Sequence, residues 1–586
     1  MQLQDDRIGW RLIGWLSAAF IFSSAAFAAE PSEGTDAHLK LLAQDEFPSA
    51  IACGQCHPRV FSEWASSNHA YASISPMFHK FEQAVNQLTS GTMGTFCVRC
   101  HQQVGTQKGE PREAALWDRS PVAREGVTCV TCHRVSAEFG KVNGERHVDP
   151  APIFAPVNNS GRASNFGEVM SDPDYYKIAR DETESGTPIH AGSRVFAQID
   201  KSEFCVSCHQ VAVNLGIKLE VVWEQYRDSP AKRAGITCQQ CHMGKVPGEA
   251  KGYDTWPIAI VNGRVVGDAN RQHSNHAFYG PGYPIAHPGL FPFNGRSLAW
   301  SIKDWLTFDY RAGWGLTEWE DRIQRNPAER PTFPDVWSDR KVREDARVVI
   351  QQNESLLEAK KRDRLAVMEN GSRLDGPFFD GGKPAVNKGL DFRYRVTNTD
   401  IGHNLPSGSL GAQPEIWLNV ALIDPDGMNI WESGYIDSHG DMADLHSLDV
   451  AAGKVKHDDQ LFNLQTKFLT TNVKGTDREM YLPVNFDIDQ LPLLRPATVP
   501  TTVLNHPPFV RMEGRSIPPL GYRDAKYSVP AGLMTKPGQY KLQARLRSRA
   551  EPLYFMKFVG ATVDMERRIN EWMIDIHPYA VEVEIR

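Results

Sequence analysis

Residues 235–243 read Gly235-Ile236-Thr237-Cys238-Gln239-Gln240-Cys241-His242-Met243, and this stretch decides what the chain can be. Its central pattern, two cysteines separated by two residues and followed at once by a histidine, occurs five times and uses all 10 cysteines. In chain order these are motif one (Cys53, Cys56, His57), motif two (Cys97, Cys100, His101), motif three (Cys129, Cys132, His133), motif four (Cys205, Cys208, His209) and motif five (Cys238, Cys241, His242).

This pattern is the attachment motif of c-type haem. Thiols three positions apart lie on one face of a helical turn and form two thioethers with the haem, while the adjacent histidine binds the iron. The sequence therefore predicts five haem c groups, with the ten cysteines as covalent attachments and the five motif histidines as proximal ligands. Five disulfides would close very small loops and leave the histidines unexplained, and five pairs do not divide into four-cysteine zinc sites.

Low-spin haems need a second axial ligand, usually histidine or methionine, and a shortage would leave one iron open for catalysis. Met77, Met93 and Met243 are better explained as core residues. Histidines are plentiful: outside the motifs the chain offers His38, His69, His79, His147, His190, His273, His276 and His287, with His403 further on. The supply is sufficient for five distal ligands.

The stretch Trp64-Ala65-Ser66-Ser67-Asn68-His69-Ala70 resembles the W-x-x-S-x-H-A element of multihaem cytochromes related to hydroxylamine oxidoreductase and to the tetrahaem cytochromes of ammonia oxidisers. The resemblance continues through Pro188-Ile189-His190 and motif five, and spans roughly residues 50 to 290. In that family the histidine of the W-x-x-S-x-H-A element is a distal ligand. The resemblance therefore implies distal ligation by His69 and His190, with His276 as the third such ligand.

Two further distal ligands are predicted, His147 and His403. His147 follows motif three at a short distance. His403 lies in Gly402-His403-Asn404-Leu405-Pro406-Ser407-Gly408, which resembles the G-H-x-x-P-T-G element of C-terminal domains in such cytochromes, with Ser407 in place of threonine. A structural loop histidine is the alternative for His403. His79 and His287 are reserves, and His38 and His273 are predicted to be exposed.

The chain is predicted to be an α+β multidomain protein in which a mostly α and irregular multihaem module is followed by a C-terminal antiparallel β-sandwich. Arg7 and Arg11 precede an apolar run and a small-residue cleavage site, so residues 1–28 are expected to be a cleaved export signal, with a membrane anchor as the alternative. The pentahaem module is expected at 29–295, a helical connector packed on it at 296–384, and the β-sandwich at 385–586.

Local patterns support these boundaries. Residues 150–187 and 244–295 are rich in turn-forming residues and predict irregular loops. Helical periodicity predicts one helix over 338–371, capped by Ser338 and stopped at Asn370-Gly371. Alternation of apolar and polar residues predicts strands around 390–397, 416–422, 540–546 and 581–585, with a turn at 424–427.

The β domain contains no cysteine and no nucleophile motif, so a structural or docking role is predicted for it. Asp437, Asp441 and Asp444 could attract calcium, but their spacing matches no EF-hand loop.

The composition, with a net charge of −7 and no basic stretch, excludes nucleic acid as a partner. We expect an exported, most simply periplasmic, electron-transfer protein of a respiratory pathway whose partners are other cytochromes or quinol-linked reductases. The cell surface and the extracellular space are alternative locations.

The second hypothesis is a multihaem oxidoreductase that acts on hydroxylamine, nitrite or a small sulfur species at one five-coordinate haem. Against it, every motif ends in histidine, whereas related nitrite reductases commonly mark the catalytic haem with C-x-x-C-K. The third hypothesis is an extracellular haem filament in which His38 of one subunit ligates a haem iron of the next.

Overall fold

The computed structural model describes residues 45–586, apart from 89–90, 92–93, 141–142, 162–165, 213–217, 380–383, 409–413, 445, 466, 471–479, 482–509 and 514. The export signal predicted for residues 1–28 lies outside the described residues, as do His38 and Met93. Within the described part of the chain, no helix combines the length and the apolar character needed to cross a bilayer.

The described part of the region from residue 45 to 295 consists of short helices joined by irregular chain, and the longest helix described there has 13 residues. Each cysteine motif lies on or beside one of these short helices, so the chain carries its five motifs on separate turns. The helices are Ala50–Gly54, Pro58–Ala65, Asn68–Tyr71, Pro76–Leu88, Val98–His101, Gln103–Gln107, Cys129–His133, Phe166–Ser171, Pro173–Tyr176, Val206–His209, Val222–Arg227, Pro230–Arg233 and Cys238–His242.

Among the described residues of this region there are also ten very short strands, which pair two at a time. They are β1 (Val157–Asn159), β2 (Ile178–Ala179), β3 (Thr187–Pro188), β4 (Ser193–Val195), β5 (Val211–Ala212), β6 (Lys218–Glu220), β7 (Asp254–Thr255), β8 (Ala259–Val261), β9 (Arg264–Val266) and β10 (Gln272–His273). The prediction of wholly irregular chain at 150–187 and 244–295 is therefore wrong in detail. One of these elements, the helix Pro173–Tyr176, forms because its first turn is capped locally. The Asp172 side chain accepts a hydrogen bond from the backbone N–H of Tyr175, and Pro173 occupies the first turn.

Three helices follow, Ile302–Trp305, Thr317–Arg325 and Arg340–Asn370. The last is the long helix predicted for 338–371, and it ends at Asn370 with Gly371 as its C-cap, as predicted. The predicted cap is wrong: Asp339, not Ser338, accepts hydrogen bonds from Lys341 and Val342. Ser338 has helical backbone angles, and its hydroxyl donates to the carbonyl of Asp335, so it cannot serve as the cap.

The long helix packs against the region that carries the motifs. The Asn353 amide donates to the carbonyls of Pro288 (2.7 Å) and Pro292 (3.0 Å). The Arg364 guanidinium donates to the carbonyl of Pro281 at 2.5 Å. These bonds satisfy carbonyls of an irregular segment that has few other backbone partners, which fixes the segment in place.

The C-terminal region contains two principal antiparallel sheets. Strands β11 (Ser372–Phe379), β12 (Leu390–Asn398) and β19 (Tyr522–Val529) form one, in the order β11-β12-β19. The other has the order β14-β13-β20-β21, with β15 also paired to β13. Its strands are β13 (Glu415–Ile423), β14 (Asn429–Ser433), β15 (Phe462–Asn463), β20 (Gly538–Arg549) and β21 (Ile574–Ile585), while β16 (Lys467–Thr470), β17 (Met480–Tyr481) and β18 (Val510–Glu513) form a small third sheet.

One buried cluster joins the two principal sheets. It includes Phe392 and Tyr394 of β12, Tyr527 of β19 and Leu542 and Leu546 of β20. Alternate residues of β12 and β20 are buried, as the period of two predicts. The predicted turn after β13 is present, with the backbone N–H of Gly427 donating to the carbonyl of Asp424 at 3.0 Å. The β-sandwich is still a prediction, and the core that the two sheets share supports it.

Strand β13 is buried on both faces rather than on one. The face opposite the shared core carries Trp417, whose indole N–H donates to the carbonyl of Gly434 at 3.0 Å. It also carries Glu415, whose carboxylate accepts from buried Arg549 at 2.8 Å. Packing of irregular chain onto this face hides the alternation that the sequence shows. The helices of this region are Leu448–Ala451, Leu553–Phe558 and Val563–Glu571.

Candidate haem site

A single large cavity collects the five motifs. Its volume is about 1290 Å³, above the about 300–1,000 Å³ usual for a small-molecule site. All five motif histidines line it, with nine of the ten motif cysteines, Cys97 being the exception. Of the predicted distal ligands, His69, His190, His276 and His403 line the cavity.

Each motif folds as one helical turn. In motif one the backbone N–H of His57 donates to the carbonyl of Cys53 at 3.0 Å, and the same i to i+4 bond joins His101 to Cys97 and His209 to Cys205. Motif five begins at a capping box, in which Thr237 and Gln240 bond each other's backbone N–H. Such a turn places the two thiols on one side, as attachment to a single haem requires.

Six of the cavity histidines are held through Nδ1, which leaves Nε2 for a metal. Because Nδ1–H donates to a backbone carbonyl, the tautomer with an unprotonated Nε2 is favoured. The acceptors are Ile258 for His57 (2.8 Å), Ala72 for His101 (3.1 Å), Asn158 for His133 (2.8 Å), Tyr279 for His242 (2.6 Å), Ser274 for His276 (2.8 Å) and Asn404 for His403 (3.1 Å).

Three motif histidines face a second histidine. The distances between ring centres are 6.2 Å for His209 and His69, 6.4 Å for His133 and His276, and 6.0 Å for His242 and His403. Two metal–nitrogen bonds of about 2 Å each, with about 1 Å from each nitrogen to its ring centre, add up to about 6 Å. The three pairs thus have the spacing of two imidazoles that bind one metal ion from opposite sides.

The histidines of motifs one and two have different surroundings. His57 interacts electrostatically with His190, and the ring of Phe166 stacks on His190 with 5.2 Å between centres. The ring of His101 stacks on Phe78 at 4.2 Å. Within the described part of the chain, His101 has no facing imidazole at the spacing of the three pairs.

Three imidazoles predicted as distal ligands are unprotonated near neutral pH, as metal binding requires. Burial lowers the pKa of His69 to about 3, and lowers those of His190 and His276 to about 4, so all three imidazoles are neutral near pH 7. Burial also raises the pKa of the Cys56 thiol to about 12. None of the ten cysteines, all of which are described, forms a disulfide, so all ten sulfur atoms are available for thioether bonds. The residues present fit covalently attached haem.

The remaining predicted or reserve histidines lie elsewhere. The side chain of His147 is 64% exposed, and its Nε2 lies 4.0 Å from Asp149. His79 is bonded through Nε2 to the carbonyl of Ser73 at 2.7 Å. Both ring nitrogens of His287 are used within its own region, Nε2 with the carbonyl of Phe308 and Nδ1 with the N–H of Gly289. None of these three lines the cavity.

His273 was predicted to be exposed, and this is wrong, because it is buried beside Glu63. The Glu63 carboxylate accepts from Nε2 of His273 at 2.8 Å and from the backbone N–H of His276 at 3.0 Å. Glu63 therefore fixes the segment that presents His276 to His133. The sequence analysis missed Glu63, and its position next to the Trp64 element was the available signal.

Gln225 is the second residue that the sequence analysis missed. Its side-chain oxygen accepts from the Ser407 hydroxyl at 2.6 Å and from the N–H of Asn404 at 3.2 Å. A backbone bond from Ala231 to the carbonyl of Ile401 (3.0 Å) lies beside them. These bonds dock the loop of His403 onto the helix Val222–Arg227 and bring a histidine of the C-terminal region to motif five.

The aspartates considered for calcium are held by hydrogen bonds within the chain. Asp437 accepts from the N–H of Asp441 and from the Ser447 hydroxyl, and Asp441 is paired with Lys557. Asp437 does lie near His439 and Asp449. Because the Asp449 carboxylate already accepts from Ser438 and Lys454, this group needs no ion to satisfy it.

The sulfur atoms show which motifs are neighbours. The side chains of three cysteine pairs lie next to each other, Cys53 and Cys129, Cys100 and Cys208, and Cys205 and Cys238, and Cys132 interacts electrostatically with Cys208. Motif three therefore adjoins motifs one and four, and motif four adjoins motifs two and five. The five attachment points form one connected series with a branch at motif four.

Residues 52–134, which hold motifs one to three, match the family model described as cytochrome c554 and c-prime. The match supports a c-type cytochrome. It also supports covalently bound haem c and a general role in electron transfer. No curated protein matches the chain.

Among solved structures, the chain is similar to the Pseudomonas fluorescens alkylpurine DNA glycosylase AlkC bound to DNA containing an abasic site analog. The two are 9% identical with a TM-score of 0.13, over 50% of this chain and 64% of the glycosylase, which is less than two thirds of its length. A likeness this weak carries no argument about fold or function.

Proposed function

We propose that the chain is a pentahaem cytochrome c that transfers single electrons along a series of covalently bound, mostly bis-histidine haems. The observation that carries this proposal is the spacing of 6.0–6.4 Å between the facing histidines of motifs three, four and five. When bound, each haem supplies a one-electron couple whose potential the surrounding residues set. Histidines that face each other at three of the five motifs favour electron transfer over substrate chemistry.

The neighbour relations of the cysteines give the series its order. Motif one adjoins motif three, motif three adjoins motif four, and motif four adjoins motif five, with motif two attached at motif four. We infer an electron path that follows the same order. Motif four is then the junction through which three neighbours exchange electrons.

The proposed setting is export to the periplasm, with the cell surface and the extracellular space as alternatives, and with other cytochromes or quinol-linked reductases as partners. The net charge of −7 favours partners with a basic docking surface. The docked loop of His403 gives the C-terminal region a role in this proposal, because it supplies a ligand to motif five.

A second candidate function is favoured by one observation, the surroundings of His101. Phe78 stacks on this ring, and the described residues provide no facing imidazole there at the spacing of the three pairs. A group bound at motif two would then keep an open axial position. Such a site could take a small nitrogen or sulfur species such as nitrite or hydroxylamine, which would make the chain an oxidoreductase.

Mass spectrometry of the natively matured holoprotein tests the main proposal. The expected mass exceeds that of the polypeptide by five haems, and a variant with Cys97→Ala and Cys100→Ala loses one of them. A matched change outside the cavity, His147→Ala, leaves the haem mass unchanged. A mass increase of four haems or fewer in the wild type contradicts the pentahaem proposal.

A further inference from the structure

Arg146 is a buried cation that the haem ligation does not explain. The residue is 5% exposed, and its guanidinium lies over the rings of Phe204 (5.0 Å) and Phe139 (5.5 Å). Its Nε donates to the side-chain oxygen of Gln103 at 3.3 Å. The aromatic rings and the amide hold the guanidinium in one place.

The surroundings of this guanidinium come from three different motifs. Its Nη2 lies 4.0 Å from Sγ of Cys132, and it also interacts electrostatically with Cys208, Cys100 and Cys205. Arg146 therefore lies where the attachment points of motifs two, three and four meet. The cysteines of motifs one and five are not among these four neighbours.

Its positive charge has no carboxylate partner within 4.0 Å in the described part of the chain. The adjacent Glu145 points away and pairs with Arg99. The described acidic side chains therefore do not neutralise this guanidinium. A fixed cation at this place stabilises a neighbouring group that gains negative charge.

We propose that Arg146 is a positioning residue of the electron path, which raises the reduction potentials of the haems at motifs two, three and four relative to those at motifs one and five. This inference rests on the proposed pentahaem function. Each reduction adds one electron, supplied by a partner cytochrome or reductase, and lowers the charge of the site by one. A fixed cation favours the reduced state most at the sites it adjoins, and so draws electrons toward the junction at motif four.

The test is a redox titration of the holoprotein followed by paramagnetic NMR, with haem methyl signals assigned to each motif. In Arg146→Gln, the potentials at motifs two, three and four are expected to become more negative by more than those at motifs one and five. Motifs one and five serve as references within the same molecule. Arg146→Lys is the matched control, since it keeps the charge, and its potentials are expected to stay near those of the wild type.

A second variant covers the case in which Arg146→Gln fails to mature. Gln103→Glu keeps the arginine but places a carboxylate beside its Nε, and it is expected to shift the same three potentials in the same direction. The proposal is overturned if all five potentials shift equally, if none shifts, or if Arg146→Lys shifts them as much as Arg146→Gln. Haem mass measured on the wild type separates this outcome from failure of the pentahaem proposal.

Discussion

The imidazoles of His242 and His403 face each other with ring centres 6.0 Å apart and ring planes inclined by 16°. His242 belongs to motif five, whereas His403 lies on a loop between two strands of the C-terminal region. Each ring is held through Nδ1 by a backbone carbonyl, that of Tyr279 or of Asn404. The pair therefore brings two separate parts of the fold together at one candidate metal site.

Removing His403 is expected to change the spin state of one haem. In His403→Ala, the group at motif five loses its sixth ligand, and one more ferric haem than in the wild type becomes high-spin by electron paramagnetic resonance. His439→Ala serves as the control, because His439 lies in the same region with a side chain that is 47% exposed. An unchanged low-spin signal in His403→Ala would show that another group ligates this iron.

The docking of the His403 loop depends on the hydroxyl of Ser407. Ser407→Ala removes the donor of its 2.6 Å bond and leaves the Gln225 oxygen with fewer partners. We expect a loss of about 1 kcal/mol in the free energy of unfolding, measured by chemical denaturation, together with a partial high-spin signal. Ser407→Thr retains the hydroxyl and is expected to behave like the wild type, so equal losses in both variants would contradict this role.

The sequence located the histidines of the cavity better than it located their partners. The covalent motifs could be found because their chemistry needs fixed spacing along the chain, and His69, His190, His276 and His403 all reach the cavity. Yet His69, which follows motif one in sequence, faces the histidine of motif four. Tertiary packing sets that pairing, and no local pattern carries it.

The exposure of His147 follows from a strict alternation of exposed and buried side chains along the chain. Glu145 and His147 are exposed, whereas Arg146 and Val148 are buried. In extended chain, successive side chains point to opposite sides, so the burial of Arg146 directs His147 to the surface. The cap at Asp339 in place of Ser338 has a similarly local cause, since either residue type suits the position and only the backbone angles separate them.

Glu125 is expected to make stability depend on pH. Burial raises its pKa from 4.5 to about 7, although its carboxylate accepts from Ser49, Thr128 and the N–H of Ala50. Because the folded-state pKa is raised, the stabilisation by the neutral carboxyl is complete below about pH 4.5 and is lost as the pH rises through 7. A shift of this size corresponds to about 3 kcal/mol.

Thermal unfolding of Glu125→Gln at pH 5 and pH 8 measures this effect. The variant stays neutral at both values, so its melting temperature is expected to fall less between them than that of the wild type. Glu113→Gln, at an exposed glutamate of the same region, is the control and should follow the wild type. An identical fall in Glu125→Gln and the wild type would mean that Glu125 does not titrate in this range.

The buried pair of Glu415 and Arg549 is expected to be essential for the C-terminal region. Their side chains are 2% and 0% exposed. Glu415→Gln leaves the guanidinium without its counter-charge, at a cost of about 3–5 kcal/mol in the free energy of unfolding. Asp426→Asn removes the exposed pair with Lys536 and is expected to cost less than about 1 kcal/mol. Denaturant unfolding compares the two, and similar losses would contradict the importance of burial.

His101 leads to the prediction that separates the two candidate functions. Because no described imidazole faces it at the spacing of the three pairs, the oxidised wild type is expected to show a high-spin ferric signal from motif two. His79 is the nearby histidine, already bonded through Nε2 to Ser73. If it does not ligate iron, His79→Ala keeps the high-spin intensity of the wild type. A fully low-spin wild type that gains a high-spin signal in His79→Ala would instead make His79 the sixth ligand.

Addition of nitrite or hydroxylamine to the wild type tests the role of the open position. A shift of the high-spin signal supports substrate binding at this position. An unchanged signal leaves electron transfer as the function that accounts for the site.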